Sequence, residues 1–234
     1  MEFLIKGFLK TSLIEWPGEI AAVIFLPHCN FRCPFCHNSD LVLRPQNLTT
    51  IPEDEVLVDL AKRRSWIDGV VITGGEPTLQ PNLPQFLLKI KQLNLKTMLE
   101  TNGSHPEMLQ VLFKRNLLDY LSMDLKAPFD ERYQKATGIK VNLSDIQKSM
   151  NMIRKSGVNY EFRTTVVPGF LSKVDLFDLA ESIPWAKRWF LQQFVPHNTL
   201  NPEFTKIKPY SKKEMEKMTK VLRKIVRTVR LRGV

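Results

Sequence analysis

Six short runs rich in β-branched and aromatic residues recur along this chain, alternating with stretches of helix length. The runs are 20–26 (IAAVIFL), 69–73 (GVVIT), 96–101 (KTMLET), 120–125 (YLSMDL), 160–167 (YEFRTTVV) and 187–195 (KRWFLQQFV). Between them, 51–64, 83–93, 106–116, 144–156 and 173–182 suit helices. Pro52 falls in the first turn of the first, while Ser144 is placed to cap the fourth and Gly157 to stop it. Such alternation predicts an α/β fold with a parallel sheet joined by right-handed crossovers. Six units are too few for a closed eight-stranded barrel, so the expected architecture is a partial (β/α)6 barrel.

The chain has 234 residues and 43% hydrophobic content, which supports a substantial core and excludes a disordered or low-complexity class. No apolar run approaches the roughly 18–20 residues of a membrane span. The first residues carry Glu2, Lys6 and Lys10 and lack a signal-peptide core. A soluble, cytoplasmic protein is expected, without a membrane partner. The net charge of +10 is concentrated at one end: residues 205–234 hold eleven Lys/Arg against Glu214 and Glu216. Residues 1–204 then form the expected catalytic body, and 205–234 a basic helical extension packed on the same domain. Its helix is predicted over 211–230, where Met215, Met218, Leu222, Ile225 and Val229 recur at helical spacing. The segment lacks aromatic interleaving, with Tyr210 alone near it, which disfavours nucleic acid.

All three cysteines, Cys29, Cys33 and Cys36, fall in the stretch HCNFRCPFCHN. A disulfide framework would spread them apart. Three soft thiolates on one loop can wrap a metal centre: a cubane with one iron left open, a zinc site completed by His28 or His37, or, if unligated, plain thiols. The other polar signatures also follow predicted strands: Gly74-Gly75-Glu76-Pro77, Thr101-Asn102-Gly103, Asp124 with Lys126, and His197. In a parallel α/β fold the strand ends share one rim, where sites are built. The glycine pair suits a backbone that must approach something closely. Asp124 and Lys126, two apart, share one strand face.

CxxxCxxC with Phe35 before the last cysteine resembles the cluster motif of the radical S-adenosylmethionine superfamily. The stretch SLIEWPG…CNFRCPFCHN is similar to the signature of glycyl-radical activating enzymes, above all those of anaerobic ribonucleoside-triphosphate reductase. GGEP at 74–77, ETNG at 100–103, MDLKAP at 123–128 and RTTVVPG at 163–169 follow in matching order.

The resemblance implies a partial barrel of the radical S-adenosylmethionine type. It implies a [4Fe-4S] cluster on Cys29, Cys33 and Cys36, whose open iron is chelated by S-adenosylmethionine. Reductive cleavage would yield a 5′-deoxyadenosyl radical, which generates a glycyl radical on anaerobic ribonucleotide reductase. Gly74, Gly75, Glu76 and Pro77 would line the methionine side, with Glu76 accepting from the ammonium. Thr101 and Asn102 would lie near the ribose, Asp124 and Lys126 near the cofactor, Arg163 at the methionine carboxylate and His197 at the ribose. The family pattern also places a monovalent cation near Glu100, Thr101 and Asp124, with Glu100 standing where pyruvate formate-lyase activases have Asp. His28 departs from the more frequent Gly, and His37 and Asn38 would support the loop. Flavodoxin or ferredoxin is the expected electron donor. The alternatives are an enzyme of this superfamily modifying a small molecule or tRNA, and a non-catalytic zinc-stabilised binding protein.

Overall fold

The computed structural model describes residues 3–234. Eight strands form in chain order: β1 (Gly7–Ser12), β2 (Ala21–Leu26), β3 (Gly69–Gly74), β4 (Lys96–Thr101), β5 (Tyr120–Asp124), β6 (Asn159–Val166), β7 (Trp189–Gln193) and β8 (Val229–Arg232). Eight helices accompany them: α1 (Ser39–Leu43), α2 (Glu53–Arg63), α3 (Leu83–Gln92), α4 (Pro106–Lys114), α5 (Glu131–Thr137), α6 (Leu143–Lys155), α7 (Lys173–Ser182) and α8 (Lys212–Leu222). The strands make one sheet in the order β1 to β8, which does not close on itself. β1 pairs antiparallel with β2, whereas β2–β3, β3–β4, β6–β7 and β7–β8 are parallel. No helix of the described residues is long and apolar enough to cross a membrane.

β2 to β7 are the six expected strands, and β1 and β8 are additions at the two edges. The chain falls into two compact units, each drawn from several segments. One comprises residues 1–30, 40–122 and 145–159, and the other 31–39, 123–144 and 160–234. In the first unit, Val23, Val71 and Met98 occupy successive strands in register and form one core with Trp16, Ala21 and Tyr120. A Cβ on Gly69 would stand 2.7 Å from the Trp16 ring, so the bare strand start lets the indole cover the sheet.

Two local expectations change. Ser144 lies inside α6, and Asn142 takes the capping role, its Oδ1 accepting from the Ser144 amide at 3.2 Å. Gly157, at φ +79°, follows the helix in the left-handed region as expected.

The helix over 211–230 is the larger correction. Ser211 and Glu214 form a capping box that starts α8, and Met215, Met218 and Leu222 are buried along it. The helix stops at Leu222, and Val229–Arg232 becomes β8. The residues between, Ile225, Val226 and Thr228, include the β-branched types that favour extended chain. β8 satisfies the main-chain groups that the β7 edge would otherwise leave open. Its Arg232 reaches the fully buried Glu161 at 2.7 Å and lies 4.3 Å over the Phe190 ring. A buried carboxylate left without its partner is strongly destabilising. Arg232→Ala is therefore expected to lower stability by about 3–5 kcal/mol in denaturant unfolding. Combining it with Glu161→Gln should recover part of that loss.

Candidate functional site

In the first unit, β3 ends on the glycine pair. Gly74 adopts φ +116°, and a Cβ there would stand 2.4 Å from the Leu26 carbonyl oxygen. A Cβ on Gly75 would come within 1.9 Å of the His28 carbonyl oxygen, a distance no side chain can occupy. The close approach that requires glycine is thus to the chain's own backbone as it enters the cysteine loop. Two hydrogen bonds fix the contact, from the Gly75 amide to Leu26 O at 2.9 Å and from the Glu76 amide to His28 O at 2.7 Å. His28 sits at φ +66°, which explains why Gly suits its position: the left-handed region costs a residue with a Cβ more.

Glu76 has no solvent exposure. Its Oε1 accepts from the Thr78 amide at 3.1 Å, Thr78 Oγ1 at 2.5 Å and Thr101 Oγ1 at 2.8 Å, and its Oε2 from the Asn102 amide at 2.7 Å. Burial pushes its carboxyl up, against the pull of the donors on Asn102, Thr78 and Thr101. Glu76 is therefore a strut that ties the turn after β3 to the turn after β4. Pro77 opens a 3-10 turn beside it and is buried. Asn102 extends the strut to the cysteine loop: its Nδ2 donates to Asn30 Oδ1 at 2.9 Å and lies 3.9 Å from Cys29 Sγ. Asn30 in turn donates to Ser104 Oγ at 2.9 Å. Asn30 and Ser104 were not singled out from sequence, because nothing in a lone Asn or Ser marks a bridge across 74 residues.

The loop passes into the second unit after Asn30. Cys33 is buried, Cys29 and Cys36 are half-buried, and no disulfide joins them. Among the described residues no group of three or more His, Cys, Asp or Glu side chains is drawn together as a preformed metal cage. The loop is held by main-chain contacts: Arg32 N to Thr137 O at 2.7 Å, Leu200 N to Cys36 O at 2.9 Å and Asn201 N to Pro34 O at 2.9 Å. Phe35 packs edge-on against Phe170, with ring centres 5.8 Å apart. His37 Nε2 is 2.5 Å from the Val195 carbonyl, so this histidine supports the loop, while His197 is exposed beyond β7.

Asp124, Lys126 and Arg163 come together as an ion triad. Lys126 Nζ donates to Asp124 Oδ2 at 2.8 Å and Arg163 Nε to Oδ1 at 2.7 Å. All three side chains are less than a quarter exposed. Burial alone would raise the Asp124 carboxyl, but Arg163 and Lys126 outweigh it and hold it well below the usual carboxylate range. Burial also opposes the charge on Lys126, yet Asp124 and the nearby Cys33 keep its ammonium protonated above the usual lysine range. Burial raises the Cys36 thiol, countered by the Asn38 amide and Lys126.

Soft thiolates on one loop, with a lysine cation beside Cys33, fit an iron–sulfur centre. Of the residues expected around a monovalent cation, Thr101 donates to Glu76, Glu100 accepts from Thr73 at 2.8 Å, and Asp124 accepts from Lys126 and Arg163.

The depressed folded-state Asp124 contributes stability that is present above its unfolded value near ~3.9 and is lost as pH falls further. Asp124→Asn is expected to cost about 3 kcal/mol at pH 7 by leaving two buried cations adjacent. The gap between variant and parent should narrow below about pH 4, measured by denaturant unfolding at each pH. A gap that stays constant down to pH 3 would show that charge pairing is not its cause.

Comparison with known proteins agrees with this arrangement. Residues 23–179 match the Radical SAM superfamily. The whole chain aligns, at 31% identity over 239 residues, with 98% of a Methanocaldococcus jannaschii protein assigned by name as a glycyl-radical enzyme activating enzyme. It is 29% identical over 231 residues to the pyruvate formate-lyase-activating enzyme of Clostridium pasteurianum, covering 94% of this chain and 93% of that one. The fold is shared with Streptococcus suis SuiB bound to its precursor peptide SuiA, at a TM-score of 0.70 and 16% identity, over 89% of this chain and 47% of that one. Membership of an enzyme family removes the non-catalytic zinc alternative. With its CxxxCxxC loop at the end of β2 and its open parallel sheet, the chain belongs to the radical SAM superfamily, whose cofactors are a [4Fe-4S] cluster and S-adenosylmethionine.

Proposed function

We propose that this protein activates a glycyl-radical enzyme, and that its partner is anaerobic ribonucleoside-triphosphate reductase. The observation that carries the reading is the end-to-end relationship to an activating enzyme, which spans 100% of this chain and 98% of its relative. The choice of reductase rests on the stretch SLIEWPG…CNFRCPFCHN.

The thiolates of Cys29, Cys33 and Cys36 would hold the cluster, with S-adenosylmethionine as its non-protein ligand. When bound, the pair supplies one-electron cleavage of the sulfonium carbon–sulfur bond, with hydrogen-atom abstraction from a glycine Cα of the partner as its outcome. The chain's own residues bind, orient and shield. Gly74 and Gly75 keep the turn thin against the loop, and Pro77 stiffens it. Glu76, on the methionine side, accepts from Thr101 Oγ1 and the Asn102 amide and so positions both. Thr101 and Asn102 line the ribose side. Asp124, Lys126 and Arg163 carry a combined charge of about +1 that favours a carboxylate beside them. His197, exposed beyond β7, is assigned to the ribose of a bound ligand. The basic face of α8, with Lys212, Lys213, Lys217 and Lys220, receives an acidic electron donor such as flavodoxin or ferredoxin, by steering that weakens with ionic strength. The reaction belongs in the cytoplasm.

Mixing the reduced, iron-loaded protein anaerobically with S-adenosylmethionine and the reductase is expected to give a doublet glycyl-radical EPR signal. Formation of 5′-deoxyadenosine with no radical on the reductase would overturn the partner assignment. The loaded protein should be brown and contain about four irons per chain, by the cubane count. Cys33→Ala should lose that iron and all reductive cleavage while keeping the far-UV circular dichroism of the parent. An iron-replete, active Cys33→Ala would refute the ligand assignment.

A further inference from the structure

β6, β7 and β8 lie side by side in register, and directly opposite residues of neighbouring strands share a face. One face is closed: Phe162, Thr164, Trp189 and Leu191 are almost fully buried. On the other face Thr165, Gln192 and Arg232 form one row, with Thr165 opposite Gln192 and Gln192 opposite Arg232. All three are only half-buried, so the row is not sealed into the core. Arg163, two residues before Thr165, shares this face and donates to Asp124 at 2.7 Å.

The row holds two orphaned groups of opposite character. Gln192 Oε1 is buried, and nothing among the described residues donates to it. Arg232 Nη2 donates to Glu161 Oε2 at 3.2 Å, whereas its buried Nη1, although 2.7 Å from Oε1, makes no aligned hydrogen bond. Gln193 turns to the opposite face, where its Nε2 donates to Tyr210 O at 2.8 Å. A buried acceptor and a buried donor cost stability until something pairs with both. An anion would suit the guanidinium but be repelled by the carboxamide oxygen. A peptide main chain suits both, because it carries an N–H donor and a C=O acceptor.

β7 also leads directly onto the cysteine loop. Val195, three residues beyond Gln192, has its carbonyl 2.5 Å from His37 Nε2, and the Leu200 amide donates to Cys36 O at 2.9 Å. A glycine at the row offers no Cβ to keep the carboxamide from its main chain.

We propose that Gln192, with Arg232 beside it, binds the main chain of the partner's glycine loop. Its Oε1 accepts from a peptide N–H of that loop, and Arg232 Nη1 donates to a peptide carbonyl. The inference rests on the reading of this protein as the activator of a glycyl-radical enzyme, and adds the residue that holds the substrate's backbone.

The test compares Gln192→Met, which keeps the length of the side chain without its amide, with the parent. Without ligand the variant loses no hydrogen bond at this position, so its melting temperature should equal or exceed that of the parent. In activation of the reductase followed by EPR, its KM for the reductase should rise about five- to tenfold, as for one lost hydrogen bond, with kcat changed far less. Its affinity for S-adenosylmethionine in equilibrium dialysis should match that of the parent. A peptide copying the reductase's glycine loop should compete with the reductase. Replacing its glycine N–H by an ester oxygen should weaken that competition in the parent and not in the variant. An unchanged KM would overturn the proposal, as would a lower melting temperature, which would show the carboxamide already paired within the fold. Weakened S-adenosylmethionine binding would overturn it too, by giving the carboxamide to the cofactor. If the parent itself forms no radical on the reductase, the reading beneath the proposal fails and takes it along, whatever Gln192→Met does.

Discussion

The main chain of the glycine turn after β3 lies directly against the main chain that leads into the cysteine loop. Gly75 and His28 approach so closely that no side chain fits between them. A loop of this kind has no regular structure of its own, and its geometry depends on what it is held against. Here the hold is backbone on backbone, which leaves little slack for rotamer changes. Two consecutive glycines and the left-handed His28 follow from this one contact. It also brings the turn after β3 and the first cysteine to the same strand ends, in a unit whose core lies under Trp16.

Around that contact the polar groups divide between holding and charge. Glu76 is buried among donors and connects the turn after β3 to the turn after β4 and, through Asn102, to Asn30 and Cys29. Asp124 gathers Lys126 and Arg163 into a triad beside Cys33 and Cys36. A carboxyl surrounded by neutral donors fixes the geometry of the turns that supply them. A carboxylate shared by two cations leaves net positive charge near the thiols, which suits thiolate ligands and an anionic ligand group. Both motifs were expected to contact a ligand, and the structure shows which protein groups each carboxyl meets.

The basic end of the chain changes meaning in the same way. A run of eleven cations among thirty residues reads as a charged helix that could meet nucleic acid. Part of it is instead sheet: β8 covers the β7 edge, and Arg232 is committed to Glu161 inside the fold. The cations left on the surface belong mainly to α8 and the turn after it, without the aromatic platform that single-stranded nucleic acid uses.

Much was legible in the residues alone. Short β-rich apolar runs alternating with helix-length stretches located six strands and most helix ends within a few residues. The CxxxCxxC spacing and the motifs that follow it in order marked the superfamily. What required the tertiary structure were the interactions between residues far apart in sequence. Nothing local in GFLKTS or VRLR announces an edge strand; each becomes one because a neighbouring strand offers unpaired main-chain groups. Nor could spacing show that Glu76 is a buried strut, that Asn102 bridges to Asn30, or that Arg163 pairs with Asp124. The sequence by itself determined the alternating elements and the ligand-bearing loop, since both are written in short-range pattern. Only the tertiary structure decided which polar side chains hold one another, because those contacts join residues far apart in sequence.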